Sequence, residues 1–120
     1  MRKQMFAGAA LLLAFSSQAD AACAVTPYRF FFGSDTDIGL SVTDGTRCRI
    51  TVRAFGQSVF QSNRISTPPA NGTARTDSTS GALYQPKAGF KGADSFVFTI
   101  CGSGAGRSGC SNMRVRVTAG

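Results

Sequence analysis

Few residues in this sequence can do chemistry, and the sequence holds no histidine and no glutamate. Past residue 21 its only side-chain carboxylates are Asp35, Asp37, Asp44, Asp77 and Asp94. Hydrolysis by paired carboxylates needs two such groups facing each other across a cleft. Only Asp35 and Asp37 are close in sequence, and Asp-Thr-Asp also suits a turn cap. A nucleophilic serine needs a neighbouring base, which the chain does not supply. Calcium takes six or more oxygens. Asp35 and Asp37, joined by Asp44 or Asp94, fall short of that and lie in no helix-flanked calcium loop. The residues therefore predict no catalytic group, no metal site and no cofactor.

Cys23, Cys48, Cys101 and Cys110 lack the tight C-x-x-C spacing of a zinc site, and no histidine completes one. An even set in an exported chain predicts two disulfides. The remaining reactive set is arginine. Arg47, Arg49 and Arg53 alternate with apolar residues in one run, and Arg114 and Arg116 do so in another. Their planar forks suit phosphate or carboxylate groups, so these five are candidate anion-binding residues. Spaced arginines also protect sheets from aggregation.

These side chains need a scaffold, and the first residues show where it is built. Arg2 and Lys3 precede an apolar run from Met5 to Phe15, and Ala19-Asp20-Ala21 is a small-x-small cleavage site. Residues 1–21 thus read as a secretory signal peptide. The run is roughly half the ~20 residues a spanning helix needs, which argues against a retained anchor. Lipidation on Cys23 is a further alternative, opposed by Asp20 where a lipoprotein signal carries a leucine-like residue. Residues 22–120 are then expected to form one exported domain, periplasmic or secreted, with no transmembrane segment. Removing residues 1–21 takes two cations and one anion from the net charge of +7. The domain stays basic, which favours anionic surfaces.

Beyond residue 21 the apolar residues alternate, and Gly, Pro, Asp, Ser and Asn break the runs every few positions. That predicts an all-β sandwich or barrel. Strands are expected at Tyr28–Phe32, Ile38–Val42, Arg47–Phe55, Asn63–Thr67, Gly72–Arg75, Ala82–Tyr84, Ser95–Cys101 and Met113–Thr118. Asp44-Gly45 predicts a type I′ hairpin turn, and Pro68-Pro69-Ala70-Asn71-Gly72 separates two strands. Alternation assigns faces. Cys48, Ile50, Val52 and Ala54 point inward, as do Phe96, Phe98, Ile100, Met113, Val115 and Val117. Val97, Thr99, Cys101 and the five arginines point outward. Tyr28, Phe30 and Phe32 share one side, with Arg29 and Phe31 on the other.

This parity bears on the disulfides. If Cys101 faces Cys110 across a hairpin closed by a loop from Gly102 to Gly109, Phe98 meets Met113 and Phe96 meets Val115, inward against inward. The predicted bonds are therefore Cys101–Cys110 and, by elimination, Cys23–Cys48. A Cys48–Cys101 bond across the core is the competing arrangement.

The stretch from Pro68 to Val117 carries a further pattern. Pro68-Pro69-Ala70-Asn71-Gly72, Tyr84-Gln85-Pro86, Gly89-Phe90, Gly92, Asp94-Ser95-Phe96 and Val115-Arg116-Val117 resemble the bacterial cadherin-like, immunoglobulin-like domains. The resemblance implies an immunoglobulin-like Greek-key β-sandwich, here with about seven or eight short strands. Tyr84, Pro86, Gly89, Phe90, Gly92, Asp94 and Phe96 then form a structural corner, with Phe90 plugging the end of the core. Relatives of this kind occur in tandem in surface proteins. The expected function is a non-catalytic structural or adhesion-type module of the bacterial envelope or extracellular space, its partner, a protein or an anionic envelope or glycan component, left unnamed. The alternative is a binder of anionic ligands such as acidic glycan, lipid phosphate or extracellular nucleic acid. Sequence-specific DNA reading is not expected, since no recognition helix appears. Nothing in the sequence names the ligand.

Overall fold

The computed structural model describes residues 22–54 and 56–120. The expected signal peptide, 1–21, lies outside the described residues, as does Phe55. Two sheets face each other. The larger runs in the order β1 (Cys23–Val25), β2 (Thr36–Val42), β8 (Arg107–Ala119), β7 (Gly92–Gly104), β4 (Ser58–Thr67). The smaller runs β3 (Cys48–Thr51), β6 (Gly81–Pro86), β5 (Gly72–Asp77). Every pairing is antiparallel except β2 with β8, which is parallel. The chain changes sheet after β2, β3, β4 and β6. This is a Greek-key sandwich.

Period-2 patterning builds both inner faces. In β8, Ser111, Met113, Val115, Val117 and Ala119 are buried and the residues between them exposed. Phe96, Phe98 and Ile100 from β7, with Ile38, Leu40 and Val42 from β2, complete the larger sheet's side of the core. Cys48, Ile50, Ala82 and Tyr84 answer from the smaller sheet. Burying each large side chain contributes about 1.5–3 kcal/mol. The expected β7–β8 register holds: Phe98 pairs with Met113, Phe96 with Val115 and Cys101 with Cys110. Both disulfides pair as expected, Cys101–Cys110 from the parity and Cys23–Cys48 by elimination. The second ties β1, an edge of the larger sheet, to β3, an edge of the smaller. Asn63 links the sheets on the other flank, donating from Nδ2 of β4 to the carbonyls of Gly81 (2.7 Å) and Ser78 (3.3 Å).

Several expectations need correction. Asp44 and Gly45 do take φ of 56° and 66°, and Thr46 donates its amide to the Thr43 carbonyl at 3.1 Å. The turn has I′ chemistry, but it closes no hairpin: β2 pairs with β1 and β8, and β3 pairs with β6. The stretch after Cys101 is strand rather than loop. The β7–β8 ladder runs on to Gly104–Arg107, and Ala105-Gly106 turns it with φ of 54° and 77°. Strand β4 starts five residues before the expected Asn63, β3 is shorter than expected, and β1 was not anticipated. Thr99 faces outward yet is only 4% exposed, because its hydroxyl is enclosed between Ser66 (2.9 Å) and Asn112 (2.8 Å).

Tyr28–Phe32 forms no strand. Its alternation is real, with Phe30 and Phe32 buried and Arg29 and Phe31 outside. Side chains replace the ladder there. Thr36 Oγ1 donates to the Arg29 carbonyl at 3.3 Å, and the buried Ser111 hydroxyl donates to the Phe31 carbonyl (3.1 Å) while accepting from the Gly33 amide (3.0 Å).

Candidate functional site

The quoted motif assembles around one carboxylate. Asp94, third residue of β7, accepts at Oδ1 from the amides of Ala70 (3.1 Å) and Ser95 (2.9 Å). Its Oδ2 accepts from the Asn71 amide (3.1 Å) and the Tyr84 hydroxyl (2.8 Å). One side chain therefore pins the β4–β5 connection, β6 of the smaller sheet and β7 of the larger. Tyr84 is fully buried, and its ring stacks on Phe96 at 5.6 Å with planes 2° apart. Burial first, then the hydrogen bond and charge of Asp94, push the Tyr84 phenol well above its ordinary range.

Backbone demands explain the small residues. A Cβ at Gly72 would collide with the Gln85 carbonyl oxygen and stand 3.1 Å from the Tyr84 ring. Gly89 takes φ +78° where the Phe90 amide closes onto the Lys87 carbonyl at 3.0 Å. Pro86 is the buried last residue of β6. Phe90 corrects the expectation of a core plug: it is half-buried, lies outside the core cluster, and its ring sits over Gly92.

The five arginines singled out from sequence do not converge. Arg47, Arg49 and Arg53 accompany β3, whereas Arg114 and Arg116 lie on β8 of the other sheet. Two are spent on carboxylates. Arg49 Nε meets Asp77 Oδ2 at 2.6 Å. Arg114 forks onto Asp37 (Nε–Oδ1, 2.8 Å) and Asp35 (Nη1–Oδ2, 3.1 Å), and Asp35 also caps the Asn112 amide at 3.0 Å. The Arg114 hydrogen bond holds the Asp37 carboxyl below its usual value against desolvation, with the charges of Arg114 and Arg116 adding to the lowering.

Arg47, Arg53 and Arg116 form no salt bridge with a carboxylate among the described residues. Arg47 rims a shallow depression of about 140 Å³ with Arg75, Thr73 and Gln85 over Leu83. Arg116 borders two open grooves, one with Thr26 and Asp37 and one with Asn71 and Asp94. Arg53 shares a cleft of about 390 Å³ with Arg29, which sequence reasoning passed over. Burial raises the phenol of Tyr28 in that cleft, the Arg53 charge working against it. Arg107, also passed over, covers Phe31 at 4.9 Å from the ring centroid.

A family profile described as bacterial Ig domain matches residues 50–118, more than half of the chain. The chain belongs to the bacterial Ig domain family. No curated protein and no solved structure gives a match. In this Ig domain the matched segment holds the whole Asp94 corner and the β7–β8 hairpin. β1, β2, Cys23 and Cys48 precede it. The two disulfides suit an oxidising compartment of the envelope or exterior. Among the described residues no helix is long and apolar enough to cross a membrane.

Proposed function

We propose that this bacterial Ig domain is a non-catalytic interaction module, exported to the periplasm or the cell exterior, where it engages a protein partner. The observation that supports this most is the fate of its acids. Asp35 and Asp37 are held by Arg114, Asp77 by Arg49, and Asp94 by the Tyr84 corner. The fifth, Asp44, is an exposed turn residue. Four of the five groups that would act as bases in an enzyme are engaged here in ion pairs or in the Tyr84 corner. The surfaces left over are sheet faces and clefts, which suit contact rather than turnover.

The test is photo-crosslinking in the native envelope fraction, with the reactive side chain placed at Ser41, Gln61 or Thr118 in separate variants. Discrete adducts that persist at high salt are expected. Hydrolysis of an envelope polymer by the purified domain would overturn the reading. A second reading, a binder of acidic glycan or lipid phosphate, draws support from Arg47, which has no carboxylate partner among the described residues and shares a depression with Arg75. Retention on heparin or lipopolysaccharide that fades with salt and disappears on R47A would favour it instead.

A further inference from the structure

The cleft that holds Arg29 and Arg53 lies between two pieces of backbone that are open to one another. One wall is the segment after β1, which joins no ladder; the other is the end of β3, an edge strand. Val25 stands two residues past Cys23 and Thr51 three past Cys48, so the Cys23–Cys48 bond fixes the walls at one end. Tyr28 bridges them, its hydroxyl donating to the Thr51 carbonyl at 3.2 Å. The volume of about 390 Å³ is in the range of ligand sites.

The lining sorts into two chemistries. Val25, 38% exposed, Pro27 and the Tyr28 ring supply apolar surface on a domain with few exposed large apolar groups. Arg29 and Arg53 supply two guanidinium forks, and no carboxylate lines the cleft or pairs with either among the described residues. Among the described residues the uncharged polar side chains of the cleft besides the tied Tyr28 are Thr26 and Thr51. Thr26 is already engaged with Gly39 at 2.9 Å. A glycan would bring many hydroxyls and leave most of them without partners, at a cost of about 1–3 kcal/mol each. Among the described residues a nucleobase would find two aromatic neighbours, Tyr28 and Phe30, and Phe30 is only 4% exposed, which leaves little ring to stack on.

The geometry points to a binding site for an extended acidic peptide segment of a partner protein, with a carboxylate on Arg29 and Arg53 and an adjacent apolar side chain against Val25, Pro27 and Tyr28. This rests on the interaction-module reading and gives that partner a chemistry. Two guanidiniums without an internal acid supply the attraction, and their forks select a carboxylate.

The probe is a blocked hexapeptide alternating leucine with aspartate, titrated into the isotope-labelled, disulfide-intact protein and followed by amide chemical shifts. Saturable shifts confined to residues 25–30 and 51–53 are expected. R29Q and R53Q each weaken Kd about tenfold, while R64Q, an equal loss of charge on a distant edge strand, changes it less than twofold. A leucine–serine peptide does not bind. The inference is overturned if the acidic peptide leaves those amides unmoved, if the leucine–serine peptide binds equally, or if R64Q weakens binding as much as R53Q. It is overturned too if heparin or phosphatidylglycerol vesicles shift those amides and the peptide does not. Crosslinks that still form at Ser41, Gln61 or Thr118 after such a failure would remove the cleft and leave the module reading standing.

Discussion

Asp94 accepts four hydrogen bonds from groups spread over three chain segments, and one donor is a hydroxyl with no exposure. Removing the carboxylate strands the Tyr84 hydroxyl in the core and frees the 70–71 connection. D94A should therefore cost about 2–4 kcal/mol, and Y84F about 1–2 kcal/mol because the carboxylate keeps its amide donors. At about 4–8 °C per kcal/mol for a domain of this size, thermal unfolding separates the two variants. D94A within 2 °C of the parent would remove the corner from the account. The raised Tyr84 phenol sets the alkaline behaviour. The unfolded chain deprotonates near pH 10 while the folded chain holds its proton, so stability is full below pH 10 and lost as pH rises beyond it. Y84F should flatten most of that loss and leave the smaller share of Tyr28, shifted in the same direction. On the acid side, Asp37 contributes above its unfolded value and loses its contribution as pH falls through its lowered one, an effect that salt weakens.

At the scale of elements, the two disulfides do different work. Cys101 and Cys110 are nine residues apart, in a hairpin whose ladder already holds thirteen residue pairs. Cys23 and Cys48 are twenty-five apart and join different sheets. Loop entropy alone gives about 2.7 and 3.5 kcal/mol respectively, and Cys48 is buried besides. C23A/C48A should lower Tm further than C101A/C110A, as melting of the two double variants would show; the reverse order would contradict the closure of the sandwich by β1 and β3. The sheet edges are also guarded: β1 has three residues, and β4 shifts register at Phe60/Ser62 and Ile65/Thr67. Most of this was legible in sequence, because parity and turn residues are local. The β7–β8 register followed from two cysteines and the alternation between them. Pairing between distant segments did not follow. Arg114 meets Asp35 and Asp37 only because β2 lies parallel to β8, some seventy-seven residues away in the chain, and no local pattern encodes that neighbour. Ser111 did leave a trace. It is a polar residue at an inward position of β8, and its hydroxyl bonds the Phe31 carbonyl and the Gly33 amide where no ladder does. The Arg29–Arg53 cleft required the same long-range information.

Over the whole molecule, the charged groups divide by role. Four of the five aspartates among the described residues are engaged, Asp94 in its corner and Asp35, Asp37 and Asp77 in ion pairs at the surface, while arginines stand on both outer faces and in the cleft. That division leaves a basic domain whose rigid parts are its two layers and whose chemistry is on the outside. The central claim is that alternating burial makes two facing layers, locked where Tyr84 of one stacks on Phe96 of the other and donates to Asp94. Nuclear Overhauser contacts in the disulfide-intact protein test it most directly. The account predicts cross-layer contacts between the Tyr84 and Phe96 rings, α-proton contacts across the β7–β8 ladder, and slow amide exchange in β2, β7 and β8. Absence of the Tyr84–Phe96 contact, or rapid exchange throughout β7 and β8, would contradict it.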